Sequence, residues 1–307
     1  MWSASSSRTS PAVLRRRHGI LRSLRGWLDA AGFVEVEVPV LWHEVLPEEH
    51  IEPPRCDRGW LLPSPEIHMK RLLAEGHERI YALGPCFRSG ERGRRHHPEF
   101  RMLEWYRAGA DLDTLARDVC GLVAAAAAAA GVERACWGGR EAALTAGWDR
   151  RGVAEMFRRH ANWDPVAAWD AERFTEDMAT RVEPALGWPR PLLLDAWPAA
   201  EASLARLDPG DPRVARRLEA YVCGLELCNG FEELADAQLQ RRRFEEVLER
   251  RRARGAPAAD LPRGFLAALA HMPPAAGMAL GVDRLVMLLL GEEHLDRVVA
   301  IPPDGGP

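Results

Sequence analysis

The fold prediction rests on residues 87–106, FRSGERGRRHHPEFRMLEWY. Four arginines, two histidines and two glycines precede a segment in which Phe100, Met102, Glu104 and Tyr106 occupy every second position. Alternate residues of a strand share a face, so the pattern predicts a β-hairpin with a ring, a carboxylate and a phenol on one surface. A cationic loop beside that surface suits a base, an ammonium group and a phosphate chain. The alternative is a solvated surface hairpin, but like charges repel in so basic a turn.

Composition indicates a globular protein with a sizeable core. The 307 residues suffice for one large domain or two small ones, and 47% are hydrophobic. The net charge of −4 does not favour a bulk polyanion as partner. Six scattered cysteines without a CxxC pair argue against a zinc or disulfide framework and predict a reducing, cytoplasmic location. The chain has no apolar run of about 18 residues and no signal-peptide core, so we expect no membrane association.

The N-terminal region combines a helical pattern with an alternating one. Apolar residues recur at helical spacing over residues 13–32, and Gly32 is a candidate C-cap. Residues 33–40, FVEVEVPV, alternate and predict a strand, in which Pro39 suits an edge or interface. An ordinary helix–strand unit has the same pattern, so this region alone indicates no function.

Ser64, Pro65 and Glu66 form a helix-start signal just before the predicted hairpin. Serine suits the cap, proline the first helical position and glutamate the positive helix end. We predict a helix over residues 66–76, which holds His68, Lys70 and Arg71. Glu66 is either a capping residue or a ligand-binding carboxylate.

A second hairpin is predicted within residues 217–236, RLEAYVCGLELCNGFEELAD. If Cys223 and Gly224 form a two-residue turn, Tyr221 pairs with Glu226, and Glu219 lies diagonally across on the same face. Two carboxylates directed together repel unless a cation or a proton lies between them, and hard oxygen ligands suit Mg²⁺. The alternative is that one of the two faces solvent.

The third informative stretch is residues 277–291, GMALGVDRLVMLLLG. A strand of small residues meets Gly281, and a helix then begins with Asp283 and Arg284. Arg284 in the first helical turn could reach a phosphate, since a helix N-terminus adds positive potential.

The other segments carry no motif that we could assign. We predict strands over residues 80–88 and 100–107, helices over 110–130 and 235–255, a loop over 41–60, and several short helices over 131–212. Residues 1–11 are predicted to be a disordered start, residues 12–301 a single domain, and residues 302–307 a frayed tail.

Together these stretches resemble the catalytic core of class II aminoacyl-tRNA synthetases of the lysyl branch. Residues 33–40 resemble motif 1, residues 87–106 motif 2, and residues 277–290 motif 3, while ELCNGFEEL adds specificity. The resemblance runs over nearly the whole chain and is looser in the middle. It implies an α+β fold, an antiparallel sheet flanked by helices, and a homodimer formed through motif 1.

The segments SPEIHMKRLL, HHPEFRMLEWYR and GMALGVDRLVML resemble the short paralogue of that branch, the elongation factor P–(R)-β-lysine ligases. That family activates β-lysine with ATP and transfers it to a lysine side chain of elongation factor P. This chain has no room for the anticodon-binding domain of lysyl-tRNA synthetases, so we expect no anticodon-dependent tRNA binding. The resemblance implies ATP as cosubstrate, Mg²⁺, and elongation factor P and (R)-β-lysine or lysine as partners.

The resemblance also assigns roles to individual residues. Arg88 and Arg284 would be catalytic, acting by charge neutralisation at the phosphates. The ATP-binding set would be Arg88, Glu91, Arg95, His96, Phe100 and Arg284; the amino-acid set Glu66, Glu104, Tyr106, Asn229, Glu233 and Ala279; and the metal ligands Glu219 and Glu226.

Two positions qualify the resemblance. The family carries an acidic residue where this chain has Gly90, and Glu91 or a backbone carbonyl could take its contact with the adenine. Ala279 replaces the middle glycine of the lysyl-tRNA synthetase motif, and its methyl favours β-lysine over α-lysine.

Two other functions remain open from the sequence. The chain could be a free-standing lysyl-adenylate synthetase that serves another acceptor, such as tRNA or a small amine. It could also be a non-catalytic regulatory subunit with the same fold, although the joint presence of phosphate and metal ligands argues against this.

Overall fold

The fold is organised around one eight-stranded sheet in a computed structural model that describes residues 9–257 and 259–303. The strand order is β1-β5-β6-β15-β14-β13-β10-β9. These strands are β1 (Val34–Glu35), β5 (Arg79–Phe87), β6 (Glu99–Ala108), β9 (Asp149–Gly152), β10 (Leu192–Asp195), β13 (Arg217–Val222), β14 (Leu225–Glu232) and β15 (Ala275–Gly281). Pairing is antiparallel except at the two edges, where β1–β5 and β9–β10 are parallel. The α+β class is confirmed.

Shorter strands and the helices complete the described chain. Outside the large sheet lie β2 (Leu41–Trp42), β3 (Arg55–Cys56), β4 (Gly59–Leu61), β7 (Arg134–Trp137), β8 (Arg140–Ala143), β11 (Trp197–Pro198) and β12 (Val214–Ala215). The α-helices are α1 (Pro11–Ala30), α2 (Glu66–Ala74), α3 (Leu112–Ala130), α4 (Val153–Ala161), α5 (Ala171–Asp177), α6 (Ala237–Ala253), α7 (Arg263–Leu269) and α8 (Val282–Leu290). No helix among these residues is both long and apolar enough to cross a bilayer.

The two faces of the sheet differ in character, as the alternation in β6 predicts. Leu103 and Trp105 are fully buried in the main apolar cluster, which also holds residues of α1, α3 and α8. Glu104 and Tyr106, also buried, belong to the opposite face. One helical layer thus covers the face of Leu103 and Trp105, while the opposite face borders a cavity and a second apolar cluster that holds residues of α2, α6 and α7.

Both predicted hairpins are confirmed. In the first, Cys86 pairs with Phe100 and Ala82 with Glu104. In the second, Cys223 and Gly224 both have positive φ, 55° and 75°, which is the backbone of a type I′ turn.

The start of the chain differs slightly from prediction. Helix α1 begins at Pro11, capped by the Ser10 hydroxyl, which accepts from the Val13 amide at 3.3 Å. It ends at Ala30, and Gly32 follows with φ 78°. The predicted disordered start lies mostly outside the described residues.

The predicted strand over residues 33–40 is wrong for most of its length. Only Val34 and Glu35 pair, on the outer edge of the sheet beside Ile80 and Tyr81. Apolar and polar residues continue to alternate beyond Glu35, but a strand also needs a neighbouring strand to bond. Pro39 lacks the amide donor that a longer ladder would require.

The middle of the chain is also richer in strands than predicted. Residues 131–212 hold α4 and α5 but also strands β7 to β11, and β9 and β10 extend the large sheet. A short apolar run such as Leu192-Leu193-Leu194 cannot be told from a helix segment by its pattern alone. Likewise, the predicted loop over residues 41–60 contains strands that form a small three-stranded sheet.

Candidate active site

A cavity of 1350 Å³ lies on the face of the sheet opposite α1 and α3. This volume can hold both a nucleotide and an amino acid, since single-ligand sites typically measure roughly 300–1,000 Å³. Every residue that the sequence marked as a site candidate lines it: Glu66, Arg88, Glu91, Arg95, His96, Phe100, Glu104, Tyr106, Glu219, Glu226, Asn229, Glu233, Ala279 and Arg284. Residues more than 200 positions apart thus meet in one place.

One end of the cavity is an acidic pocket formed by Glu66, Glu104 and Glu233 with Lys70. Lys70 Nζ lies 2.6 Å from Glu66 Oε1 and 2.6 Å from Glu233 Oε2, and its side chain is 2% exposed. Burial alone would lower the pKa of Lys70, but the carboxylates of Glu233 and Glu66 outweigh it and raise that pKa. A permanent cation therefore holds two of the three carboxylates in place.

Glu104 is held by hydroxyl groups rather than by the lysine. Tyr106 Oη donates to Glu104 Oε1 at 2.6 Å, and Ser64 Oγ donates to Glu104 Oε2 at 2.8 Å. Burial, and then repulsion by Glu66, raises the pKa of Glu104 to about 8. The close approach of Tyr106 requires Gly277, because a β-carbon there would lie 2.1 Å from the tyrosine ring.

Glu233 and Asn229 present unsatisfied acceptors to this pocket. Burial and the repulsion of Glu66 raise the pKa of Glu233 to about 8, despite the attraction of Lys70. Glu233 Oε1 and Asn229 Oδ1 are buried and accept no hydrogen bond from any described residue. Buried acceptors without donors are costly, so the pocket is built to receive a ligand that donates hydrogen bonds.

The other end of the cavity is a cationic rim formed by three arginines, Arg88, Arg95 and Arg284, together with the neutral ring of His96. The Arg88 guanidinium lies 5.0 Å from the Phe100 ring centroid and 3.6 Å from Glu91 Oε1. Arg284 Nη2 lies 2.6 Å from His96 Nε2. Burial and then Arg284 lower the pKa of His96 to about 4, so the neutral ring accepts that hydrogen bond.

Glu219 and Glu226 lie on the cavity face of the second hairpin. Glu219 accepts from Arg217 at 2.6 Å and from Tyr221 at 2.5 Å, and the Glu226 carboxylate is 3.4 Å from Arg284 Nη1. Burial first, with a further contribution from Glu226, raises the pKa of Glu219 to about 7. Carboxylate oxygens that repel each other beside a cationic rim fit a hard divalent cation such as Mg²⁺.

A bulge in this hairpin modifies the predicted register. Tyr221 pairs with Glu226 as expected, but Ala220 pairs with Cys228, so one extra residue is inserted in β14. Glu219 therefore faces Asn229 directly. Asn229 in turn pairs with Ala279, which pairs with Glu104 on its other side. Ala279 thus sits between two pocket residues.

Gly90 occupies an open turn of the loop between β5 and β6. Its φ is 77°, and no atom lies within 4 Å of a β-carbon built there. A side chain would have space but would strain the backbone. Glycine therefore suits this turn. The contact with the adenine that the family makes through an acidic residue here must come from another group.

Sequence reasoning missed several residues of the site. Lys70 stands one helical turn after Glu66, a spacing that indicates an ion pair but not one with Glu233. Ser64 was assigned only a capping role, although it bonds Glu104. Glu48 lines the cavity from a segment predicted as loop, and burial raises its pKa to about 7. Arg217, two residues before Glu219 on one strand, bonds that carboxylate.

Comparison with known proteins gives a consistent family assignment. The family model described as tRNA synthetases class II (D, K and N) matches residues 3–305. The chain is similar to the elongation factor P–(R)-β-lysine ligase of Proteus mirabilis, with 36% identity covering 98% of this chain and 97% of the relative. It is also similar to the ligases of the same name from Edwardsiella ictaluri, at 37% identity covering 95% of each chain, and Vibrio cholerae, at 37% covering 95% of this chain and 96% of the relative.

Proposed function

The chain belongs to the class II tRNA synthetase family, and from this membership and its pocket we propose that it is an elongation factor P–(R)-β-lysine ligase. Family membership implies an ATP-using ligase. The finer assignment is that it activates (R)-β-lysine as an adenylate and transfers it to a lysine side chain of elongation factor P in the cytoplasm.

The acidic pocket is the observation that carries this proposal. Its three carboxylates and one ammonium group leave two negative charges when all are ionised, which matches a substrate with two ammonium groups. The unsatisfied acceptors of Glu233 and Asn229 add neutral and charged partners for N–H donors. A substrate with a single ammonium group would leave one buried charge unpaired, which is costly.

In the first step, a carboxylate oxygen of the amino acid attacks the α-phosphorus of ATP, and the bond to pyrophosphate breaks. This step needs no protein base because the carboxylate is already ionised. The chain contributes position and charge: Arg88 and Arg284 stabilise the negative charge that develops on the phosphate oxygens. Glu219 and Glu226 would hold Mg²⁺, which when bound neutralises phosphate charge.

In the second step, the neutral amine of the acceptor lysine attacks the carbonyl carbon of the mixed anhydride. The carbon–oxygen bond to AMP breaks, AMP leaves with the electron pair, and the amine proton passes to a phosphate oxygen or to water. The acidic pocket keeps the two ammonium groups of the amino acid in place during this transfer.

We also expect a homodimer formed through residues 33–40, as in motif 1 of the family. Val34 on the edge strand is 61% exposed, and Val40 and Leu41, within eight positions of it along the chain, are exposed too, so apolar surface is available there for a partner. Light scattering of the full chain at micromolar concentration should give twice the monomer mass. A monomer would contradict the dimer without affecting the ligase assignment.

Intact-mass spectrometry tests the function directly. The protein is incubated with ATP, Mg²⁺, elongation factor P and either (R)-β-lysine or α-lysine, and we expect a single β-lysyl addition that Arg88→Ala abolishes. ATP–pyrophosphate exchange without any modified elongation factor P would favour the free-standing adenylate synthetase. Absence of both would favour the non-catalytic subunit.

A further inference from the structure

Three metal-ligand side chains converge where the β5–β6 loop meets the C-terminal 3₁₀ turn (Leu295–Arg297). His97 Nε2 is 2.7 Å from Asp296 Oδ1, and His294 Nδ1 is 3.3 Å from Asp296 Oδ2. One ligand atom from each residue lies within 4.8 Å of the other two. We propose that His97, His294 and Asp296 bind one transition-metal ion of the zinc class and so fasten the loop to the turn.

The donor set selects the class of metal. Two imidazole nitrogens and one carboxylate oxygen suit zinc and its neighbours, whereas Mg²⁺ and Ca²⁺ prefer oxygen ligands. Bonds of about 2.0–2.1 Å to a tetrahedral zinc place its ligands roughly 3.3 Å apart. The ligand atoms of His97, His294 and Asp296 are now between 2.7 and 4.8 Å apart, close to this spacing. Modest side-chain rotations would therefore bring all three onto one ion. The fourth position would be taken by water.

The backbone around these side chains is already held. The Leu295 amide donates to the Arg94 carbonyl at 2.9 Å. Arg94 Nε donates to the Glu293 carbonyl at 3.2 Å, and the two side chains also form an ion pair. His97 and Asp296 are 199 positions apart, so the site joins distant segments that other contacts keep in register. A metal would therefore meet ligands whose main chains need not move.

The site can be reached from solvent, and it lies where a bound ion would restrict the β5–β6 loop. His97 and Leu295 line the cavity, and His294 is partly exposed, so an ion can enter from solvent. His96, the neighbour of His97, contacts Arg284 of the cationic rim. A metal bound to His97 would thus restrict the movement of the loop that carries His96 and the rim arginines. The ion itself would not contact the reacting groups.

The alternative is a purely structural set of hydrogen bonds, in which His97 Nε2 bonds the Asp296 carboxylate and His294 Nδ1 accepts from the Asp296 amide at 3.3 Å. Metal titration without ATP or amino acid separates the two and does not depend on the proposed ligase activity. Chelator-treated full-length protein is titrated with Co²⁺ as a visible probe and with Zn²⁺ in competition, and bound metal is counted by elemental analysis. We expect one equivalent with d–d absorption typical of four or five ligands.

Variants then locate the bound ion. His294→Ala, at a partly exposed position, should weaken binding by at least about tenfold, the lower end of the loss expected even for an outer partner. His77→Ala removes an exposed histidine far along the chain and should bind as the wild type does. Wild-type protein without stoichiometric metal, or His294→Ala and Asp296→Ala variants that keep wild-type affinity, would overturn the proposal.

Discussion

The acidic pocket and the cationic rim both bind charged groups, but they differ in burial and in the partners that they have before a ligand binds. In the pocket, Glu66, Glu104 and Glu233 are nearly inaccessible, and their counter-ion Lys70 belongs to the protein. On the rim, the Arg284 side chain is about one-fifth exposed and contacts Glu226 and neutral His96. The pocket is thus preorganised before any ligand arrives, whereas the rim must exchange weak partners for phosphate oxygens.

Because of this difference, we expect mutations in the pocket and on the rim to have different effects. Changes in the pocket should affect folding as well as binding, because they leave buried charges without partners. Changes on the rim should leave the fold intact and affect mainly the chemical step, because phosphate charge is the rim's strongest partner.

Removal of the pocket cation should have the largest effect. Lys70→Met leaves Glu66 and Glu233 buried without their counter-ion, which should reduce the free energy of unfolding by about 3–5 kcal/mol at pH 9. Glu233 has a pKa of about 8 in the folded protein, above its unfolded value. Lys70 lowers this pKa, so in the variant Glu233 takes up a proton more readily, and the loss should shrink towards pH 6.

Urea denaturation of wild type and variant at pH 6 and pH 9 measures this loss. The double variant with Glu233→Gln removes one orphaned charge and should recover part of the stability at pH 9. Equal stability of Lys70→Met and wild type at pH 9 would mean that the pocket is not held by its ion pairs, and the contrast with the rim would fail.

On the rim, Arg284→Ala should leave stability nearly unchanged but slow ATP–pyrophosphate exchange. The expected loss is on the order of 3 kcal/mol in transition-state stabilisation, or roughly a hundredfold or more in rate. Arg263→Ala, an exposed arginine at the start of α7, is the matched control. Exchange within a few-fold of wild type in Arg284→Ala would remove this residue from the catalytic set.

Sequence patterns revealed the rim and the carboxylates but not the way in which the pocket is held. Each hairpin residue could be placed on a face because strand periodicity is local. The turn at Cys223 placed Tyr221 opposite Glu226 as predicted, but the bulge that puts Glu219 opposite Asn229 was not predicted. The second partner of Lys70 is Glu233, 163 positions away, and only the tertiary fold brings them together.

The errors have the same origin. Residues 33–40 alternate like a strand, but pairing depends on β5, which the local pattern does not contain. The convergence of His97 with His294 and Asp296 was invisible for the same reason, although adjacent histidines in the loop were apparent. Local periodicity predicts which face a side chain takes, whereas partners across the fold require the three-dimensional arrangement.

The raised pKa values of the pocket predict a proton linkage that the arginines of the rim should lack. Burial and the repulsion between neighbouring carboxylates raise the pKa values of Glu104 and Glu233 to about 8, so the pocket carboxylates together hold a proton at pH 7. A diammonium substrate favours the ionised forms, so its binding should release about one proton at pH 7. Affinity should therefore rise between pH 6 and pH 8, by up to about tenfold per pH unit for each proton released.

Calorimetry of lysine binding in buffers of different ionisation enthalpy counts these protons. Glu104→Gln should release fewer, although it also weakens binding. The arginines of the rim do not titrate in this range, so they add no protons to this count. Buffer-independent heats for the amino acid would mean that the pocket carboxylates are already ionised.

The smallest expected effect concerns selectivity within the pocket, and it depends on Ala279. Its methyl group lies on the strand between Glu104 and Asn229, on the cavity face. β-Lysine carries its amino group one carbon further from the carboxylate and needs less room at the α-position, so one methyl should discriminate by roughly 1–3 kcal/mol. We expect (R)-β-lysine to be preferred in kcat/KM, and Ala279→Gly to shift the preference towards α-lysine.

Ala276→Gly makes the same change on the opposite face of the same strand, where the side chain packs in the apolar cluster, and should leave the ratio of the two kcat/KM values unchanged. An unchanged ratio in Ala279→Gly would assign the discrimination to the placement of the pocket charges instead.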